Sequence, residues 1–320
     1  MEPVPIITDD QRKAVYGIIM APESSVDKPD VRTWRDLDDV RHVFLDLNSN
    51  DAFTAVIKDC KAAIDAGILP QCTSSGSSGS YLVRSTTATT TGIFKPRDEE
   101  PYADLNPRWA KWLHRHCSPC FFGRACLMPN AGYLGEAAAS VVERWMGVEM
   151  VPRTQVVQLM APTFSYPAGA KKLPKVGSFQ LFVHSFKPYS EMAPIIAMLC
   201  AQSKPFQCAF QRELERLACL DHVIRNTDRT ADNWMVRVVW VREGELVDEL
   251  VPDGDFSALQ PIVKIAAIDH GLSFPWRHPN GLCKYPYSWQ DLPQALIPFS
   301  DSIRRQLLPI LDDPNQWEQL

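Results

Sequence analysis

The sequence predicts an α+β fold in two lobes, with a sheet-rich first part, a mainly helical second part and a cleft between them. Short runs of β-branched and aromatic residues, which are typical of strands, dominate the first part. The second part is richer in helix, with a helix predicted at 211–224. A chain of 320 residues is long enough for one large domain or two fused lobes.

The predicted elements follow one another along the chain. Residues 1–48 are polar, Asp-rich and broken by prolines, so we expect a flexible N-terminal extension before a compact domain at 49–320. That domain opens with a helix over 51–66, which ends at Gly67. The further elements are strands at 81–84, 92–95, 154–160 and 177–183, helices at 136–146 and 211–224, strands near 234–241 and 263–268, and an acidic surface insertion at 243–255.

Composition bounds the class of protein. Hydrophobic residues at 45% and charged residues at 22% exclude a mainly disordered chain. The net charge of −5 gives no reason to expect nucleic-acid binding. We expect neither a transmembrane helix nor a signal peptide, since no apolar run approaches about 20 residues and the first ten residues carry acids and prolines. Nine scattered cysteines favour a reducing, cytosol-facing location.

Four features that carry chemistry occur in an informative order. A turn of small residues at 74–80 leads into a strand, and such a turn lets backbone N–H groups approach phosphate oxygens. Lys95 ends the next strand, where its ammonium group can reach the phosphates of a nucleotide. Asp228 and Asn233 lie five positions apart in a loop after a helix, and Asp269-His-Gly271 ends a later strand.

The last two features have the spacing found in kinases, whose catalytic loop places Asp and Asn five positions apart before a strand that ends in Asp-x-Gly. Phosphoryl transfer needs an oxygen that orients the attacking hydroxyl and hard oxygen ligands for Mg²⁺. Taken singly, a Ser/Gly run also fits a linker, a strand-end lysine a solvated charge, and Asp-x-Gly a turn. Their order predicts a kinase-like nucleotide site. The lack of G-x-G-x-x-G and His-Arg-Asp motifs disfavours an ordinary protein kinase.

Longer stretches carry a resemblance to one family. They are 76–81, 94–102, 105–107, 122–124, 132–134, 151–154, 175–183, 224–229, 232–234, 266–269 and 292–295. In these stretches, from about residue 51 onward, the sequence resembles the type II phosphatidylinositol 4-kinases. The resemblance implies a two-lobed protein-kinase-like fold, with an N-lobe at about 49–183 and a C-lobe at about 184–320. It also implies transfer of the γ-phosphate of ATP to the 4-hydroxyl of phosphatidylinositol. Family members continue past 312–314 with a further helical segment, so we expect the C-terminal helical segment here to be shortened.

The resemblance also implies roles for individual residues. The phosphate loop would be Ser74, Ser75, Gly76, Ser77, Ser78, Gly79 and Ser80, and the adenine-binding hinge Gln180, Leu181, Phe182 and Val183. Lys95 resembles the phosphate-binding lysine, Asp228 the catalytic aspartate, and Asn233 and Asp269 the Mg²⁺ ligands; Asp269 would also contact ATP. Glu100, Pro101 and Tyr102 match a segment linked to substrate binding. Glu136 either orients Lys95 from a helix or is a solvated helix charge.

Two segments combine aromatic and basic residues without acids, which suits an interface with anionic lipid headgroups. The first holds Arg108, Trp109, Lys111, Trp112, Arg115 and Phe121, although a core-packing helix with a solvated face also fits. The second follows Asp269 and includes Trp276, Lys284 and Trp289. There a kinase selects its acceptor substrate.

Cys117 and Cys120 lie within the first of these segments. Type II family members carry a palmitoylated Cys-Cys-Pro-Cys-Cys here, and Cys117-Ser-Pro-Cys120-Phe121 retains the first and third cysteines. Acylation of Cys117 and Cys120 is therefore expected, since two lipid chains anchor stably where one is marginal. Zinc is the rival use of these cysteines together with Cys126, His114 and His116.

The implied partner is phosphatidylinositol in a bilayer, met by peripheral association at the cytosolic face of trans-Golgi or endosomal membranes, without nucleic acid. Two alternatives stay open at this point. One is a pseudokinase-like membrane scaffold that binds nucleotide without turnover, which the four retained residues Lys95, Asp228, Asn233 and Asp269 disfavour. The other is a protein or small-molecule kinase of related fold.

Overall fold

A computed structural model of the chain describes residues 50–73, 78–101, 103–106, 126–242, 245–247, 259–278 and 287–320. Several sequence-based predictions lie outside these residues. They are the N-terminal extension at 1–48, Ser74 to Ser77, Tyr102, the aromatic and basic segment with its two cysteines at 108–121, and Lys284.

The first lobe is built on a five-stranded antiparallel sheet with the strand order β1-β2-β3-β5-β4. Its strands are β1 (Gln71–Cys72), β2 (Tyr81–Arg84), β3 (Thr90–Pro96), β4 (Thr154–Leu159) and β5 (Lys175–Leu181). Strand β3 pairs with both β2 and β5, so that Lys95 lies opposite Ser178 near the middle of the sheet. A 3₁₀ turn at Arg97–Glu99 follows β3 directly.

Two helices belong to this lobe. Helix α1 (Asn50–Asp65) buries Phe53, Ile57 and Cys60, at the spacing that predicted it, against the sheet. The ring of Phe53 meets that of Phe179 edge to face at 6.0 Å. Helix α2 (Gly132–Met146) packs on β4 and β5 and ends at a left-handed Gly147.

The second lobe combines helices with a four-stranded antiparallel sheet. Strand β7 (Trp234–Arg242) pairs with β6 (Lys187–Pro188), β8 (Glu245–Val247) and β9 (Gln260–Ala267). The helices are α3 (Tyr189–Gln202), α4 (Lys204–Val223), α5 (Asp301–Leu311) and α6 (Pro314–Glu318), with a 3₁₀ turn at Pro293–Leu296. Trp234 and Trp240 are fully buried in the core between α4 and this sheet.

The predicted two-lobed α+β fold is confirmed, and some elements differ from the prediction. Helix α3 was not predicted, because Pro194 interrupts its sequence. Helix α4 begins seven residues before the predicted 211, where the Ser203 hydroxyl accepts a hydrogen bond from Phe206 N. Part of the predicted surface insertion forms β8. Among the described residues, none of the helices is both long and apolar enough to cross a bilayer.

Candidate functional site

Lys95 joins the two lobes. It follows the buried Phe94 on β3, and the strand alternation turns its side chain to the opposite face of the sheet. Its Nζ forms an ion pair with the Glu136 carboxylate on α2 and lies 3.1 Å from Asp269 Oδ1, just after β9. Burial alone would lower the pKa of Lys95, but the carboxylates of Asp269 and Glu136 outweigh it and raise that pKa. Lys95 is therefore a fixed cation.

Glu136 is the buried partner that orients this lysine. Its second oxygen accepts a hydrogen bond from the backbone N–H of His270 at 3.0 Å, so one carboxylate touches both the β3 lysine and the loop that carries Asp269. Burial raises the pKa of Glu136, whereas Lys95 lowers that of Asp269. The alternative that Glu136 is a solvated helix charge is wrong.

Asp228 and Asn233 lie in the loop between α4 and β7. The side-chain N–H of Asn233 donates to the Asp228 carbonyl at 2.7 Å, and Asp228 N donates to Asn226 Oδ1 at 2.8 Å. The carbonyl of Asn233 accepts from Ile268 N at 3.1 Å. Because Ile268 precedes Asp269, these bonds place the Asp228–Asn233 loop beside the Lys95–Asp269 contact.

The buried guanidinium of Arg229 holds the Asp228–Asn233 loop and the Asp269 loop together. Arg229 donates to the carbonyls of Asn233 and Ile268, the latter at 2.7 Å, and its Nε lies 3.0 Å from Asp221 Oδ1. Its Nη2 lies 3.2 Å from His270 Nδ1, and His270 Nε2 lies 3.1 Å from the Ala267 carbonyl. Burial lowers the pKa of His270 well below its usual value, so the ring is neutral, accepts from Arg229 and donates to Ala267.

Sequence reasoning missed the pair of Arg229 and Asp221. Arg229 directly follows Asp228 within the recognised motif, and this position was the available signal. Its partner lies eight residues earlier on the last turn of α4, and nothing in the spacing identifies it.

The donor atoms present fit Mg²⁺. The amide nitrogen of Asn233 is occupied by the Asp228 carbonyl, so it is the amide oxygen Oδ1 that can face a ligand. The Asp269 side chain is 53% exposed and holds Lys95 through Oδ1. An amide oxygen and a carboxylate are the hard ligands that this ion prefers. Within the described ranges, no cluster of three His, Cys, Asp or Glu side chains suits a metal; of the predicted zinc ligands these ranges contain Cys126, which is buried.

The described end of the predicted phosphate loop is tied to the protein itself. Gly79 N donates to the Glu99 carbonyl at 2.9 Å, so the prediction that this amide binds phosphate is wrong for Gly79. A Cβ on Gly79 would lie 2.4 Å from Glu99 Oε2, which explains the glycine by contact with the protein rather than with a ligand. The Ser78 and Ser80 hydroxyls lie 3.3 Å apart.

Comparison with known proteins now assigns the family. The sequence profile described as "Phosphatidylinositol 3- and 4-kinase" matches residues 76–319. The chain belongs to this family. It is 41% identical over 305 residues to a phosphatidylinositol 4-kinase type 2-beta of Xenopus tropicalis, covering 84% of this chain and 60% of the relative.

Other relatives agree with this assignment. The chain is 39% identical to the type 2-beta protein of Rattus norvegicus, covering 89% of this chain and 65% of the relative, and 40% identical to the type 2-alpha protein of Danio rerio, covering 82% and 63%. The chain thus spans somewhat under two thirds of the length of these curated relatives. The resemblance to type II phosphatidylinositol 4-kinases is confirmed.

The predicted hinge of this family member runs from the end of β5 into the connection between the lobes. The Gln180 side chain is buried and donates to Thr154 Oγ1 at 3.1 Å. Leu181 N donates to the Arg153 carbonyl at 3.0 Å, and Phe182 N to the Thr91 carbonyl at 2.9 Å. Those two amides serve the fold, and adenine recognition through them would require their release.

Glu100, predicted to lie in a substrate-binding segment, is enclosed by the protein. It is 6% exposed, and its two carboxylate oxygens accept hydrogen bonds from the backbone N–H groups of Gly132 at 3.0 Å and Tyr133 at 2.7 Å. Burial raises its pKa. Pro101, which follows, is half-buried.

The two described tryptophans of the second predicted membrane segment have opposite environments. Trp276 is 48% exposed, with the Arg277 guanidinium 4.7 Å from the centre of its ring. Trp289 is 7% exposed and donates through Nε1 to Asp221 Oδ2 at 2.9 Å. The prediction that Trp289 contacts a membrane is wrong, because its ring lies in the core under the Asp228–Asn233 loop. The membrane contact of Trp276 stays a prediction.

Proposed function

We propose that the chain is a lipid kinase that transfers the γ-phosphate of ATP to the 4-hydroxyl of phosphatidylinositol at a membrane surface, giving phosphatidylinositol 4-phosphate. The observation that carries this proposal is the position of Lys95, held by carboxylates from α2 and from the end of β9 within a chain of this kinase family. Kinases require an oriented lysine and a metal-binding aspartate on the two sides of the nucleotide.

The side chains divide the work as follows. Lys95 places its positive charge beside the ATP phosphates. Asp228 orients the inositol hydroxyl and accepts its proton. Asn233 Oδ1 and the Asp269 carboxylate would hold Mg²⁺, which supplies charge neutralisation at the phosphate oxygens. The small-residue loop at 74–80, with its Gly79 amide excepted, would approach the phosphates.

The adenine ring would bind at the hinge. Of the hinge amides after Gln180, those of Leu181 and Phe182 already donate to backbone carbonyls, whereas Val183 N has no backbone acceptor in the part of the chain that the structure describes. Adenine has an acceptor nitrogen beside a donor amino group, which suits one backbone N–H beside one carbonyl. We therefore infer that Val183 supplies the donor.

The proposal extends to the membrane. The aromatic and basic residues at 108–121 and Trp276 would lie on the headgroups at the cytosolic face of trans-Golgi or endosomal membranes, with peripheral attachment aided by acylation of Cys117 and Cys120. A headgroup that stays in its leaflet must be met by a protein surface beside the cleft. Trp276, exposed and paired with Arg277, supports such a surface.

The direct test measures transfer of radiolabelled phosphate from ATP to phosphatidylinositol in liposomes. The wild type should give labelled phosphatidylinositol 4-phosphate, and Lys95→Ala and Asp228→Ala should each lower the rate by at least about 100-fold. Lys171→Ala, which removes an exposed lysine in the loop between β4 and β5, serves as the matched control. Product formation that persists in both site variants would contradict the proposal.

A further inference from the structure

Glu100 closes the N-terminus of helix α2 from a distant part of the chain. The residue before the helix, Ala131, has no side chain that can cap it, and Glu100 takes that place with both carboxylate oxygens. The first N–H groups of a helix lack partners within it and carry partial positive charge, so a buried carboxylate is well suited to hold them.

Helix α2 in turn sets the position of Glu136, which lies one turn after the capped residues. This turn approaches the Asp269 loop closely, because a Cβ on Gly135 would lie 2.8 Å from the His270 carbonyl and one on Gly132 would lie 3.2 Å from that of Gly271. Glu136 reaches Lys95 and His270 N from this fixed turn. A displacement of the cap would therefore be passed directly to the Lys95–Glu136 pair.

The segment that carries Glu100 is itself rigid. Its neighbour Glu99 is fully buried and accepts from Tyr81 OH at 2.6 Å, from Lys175 Nζ at 2.7 Å and from Ser165 N at 3.0 Å. The same segment begins at Lys95, only five residues before Glu100. The chain thus runs from Lys95 to Glu100, Glu100 binds the first turn of α2, and Glu136 on α2 pairs with Lys95 again.

We propose that Glu100 is a positioning residue that sets the Lys95–Glu136 ion pair through helix α2 and so acts on nucleotide binding, not on the lipid headgroup. This inference rests on the proposed kinase function. A direct contact between Glu100 and a lipid is disfavoured because both its oxygens are engaged by Gly132 and Tyr133 and its side chain is enclosed.

The test compares Glu100→Gln and Glu100→Ala with the control Asp98→Asn. The Asp98 carboxylate is close in sequence and accepts from Lys175 Nζ at 2.9 Å, a contact that involves neither helix α2 nor the Asp269 loop. Binding of a fluorescent ATP analogue without lipid is measured first, followed by the KM values for ATP and for phosphatidylinositol. Each Glu100 variant should weaken nucleotide binding or raise the KM for ATP by about 10-fold, with the KM for phosphatidylinositol unchanged within 2-fold. Asp98→Asn should change neither value.

A double-mutant cycle separates positioning from general damage. If Glu100 acts through Glu136, Glu100→Gln should have little further effect on nucleotide binding in a Glu136→Gln background. A raised KM for phosphatidylinositol with unchanged nucleotide binding, or additive effects in the cycle, would overturn the inference. Thermal unfolding identifies any variant that fails to fold. If Glu100→Ala fails to fold, the inference is judged on Glu100→Gln, which keeps the side-chain volume. If the wild type binds nucleotide but phosphorylates no lipid, the proposed function fails while the binding cycle still tests Glu100.

Discussion

Arg229 and Asp221 form an ion pair that is fully enclosed beneath the proposed catalytic loop, with Arg229 Nε 3.0 and 3.1 Å from the two carboxylate oxygens. Removing two charges from water is costly, and such a pair is tolerated when further hydrogen bonds satisfy both groups. Here Arg229 also holds the carbonyls of Asn233 and Ile268, and Asp221 also accepts from Trp289 Nε1. The pair thus fastens the Asp228–Asn233 loop, the Asp269 loop and the segment at 287–289 to helix α4.

Loss of one partner should therefore destabilise the whole second lobe. Asp221→Asn leaves the Arg229 charge buried without its carboxylate, and we expect the free energy of unfolding in urea to fall by about 3 kcal/mol. The matched control is Arg304→Gln, whose 3.9 Å contact with the exposed Asp301 should be worth less than about 1 kcal/mol. A loss for Asp221→Asn no larger than that of the control would refute the structural role.

Gly79 lies at the end of the predicted phosphate loop, and a side chain at this position should displace that loop. The added methyl group of Gly79→Ala would lie 2.4 Å from Glu99 Oε2 and 2.8 Å from Glu99 Cβ, and Glu99 is held by three donors, so the loop must move instead. We expect affinity for ATP to fall by about 10-fold in a lipid-independent binding assay.

Gly67→Ala is the control for this variant. Gly67 has a φ of 91° and no atom within 4 Å of an added Cβ, so the substitution strains the backbone without a clash. It should cost about 1 kcal/mol in the free energy of unfolding and leave ATP affinity unchanged. Equal ATP affinities for Gly79→Ala and the wild type would show that the Glu99 contact does not set the loop.

The sequence predicts the chemistry-bearing residues because kinase chemistry requires certain residue types at a certain spacing. This pattern predicts Lys95, Asp228, Asn233 and Asp269, and the structure brings Lys95 to Asp269 and the Asn233 backbone to Ile268. The order of strands and helices followed from hydrophobic periodicity, which reports burial on one face of each element.

The supporting residues could not be predicted, because their roles depend on contacts between distant positions. Glu100 meets Gly132, Glu99 meets Lys175 and Trp289 meets Asp221 across separations of 32 to 76 residues, which no local pattern encodes. The aromatic and basic neighbours of Trp289 predict a membrane surface for it. Composition cannot show which side of a segment faces the core, and here the indole N–H finds a buried carboxylate.

Glu143 should make stability depend on pH near neutrality. Burial raises its pKa to about 7, although the carboxylate accepts a hydrogen bond from Met150 N at 3.0 Å. Because the folded-state pKa lies above the unfolded value of 4.5, this group contributes stability that is fully present below pH 4.5 and is lost as the pH rises through 7. Glu143→Gln keeps an acceptor for Met150 N and has no charge to bury.

The free energy of unfolding of Glu143→Gln relative to the wild type should therefore increase with pH. We expect the difference to be smallest near pH 4.5 and to grow by roughly 3 kcal/mol by pH 8, as measured by urea unfolding at a series of pH values. The low-pH point serves as the internal control for changes in packing. A difference that stays constant across this range would show that Glu143 is ionised in the folded protein at no cost.

Trp276 and Trp289 should separate membrane binding from stability, although only 13 positions divide them. Trp276 is half exposed beside Arg277, and its backbone N–H donates to the Cys126 carbonyl at 2.9 Å, so its ring can leave water without any change in the core. Trp276→Ala should weaken sedimentation with phosphatidylinositol liposomes several-fold, while ATP affinity and the thermal midpoint stay unchanged. Trp289 instead stacks on Tyr287, with ring centres 4.8 Å apart, and bonds to Asp221. Trp289→Ala should therefore lower the free energy of unfolding by about 3 to 5 kcal/mol, since it opens a cavity and removes one of the hydrogen bonds to the buried Asp221 carboxylate. Loss of liposome binding and ATP affinity together in Trp276→Ala would mean that this tryptophan supports the fold and that another surface meets the membrane.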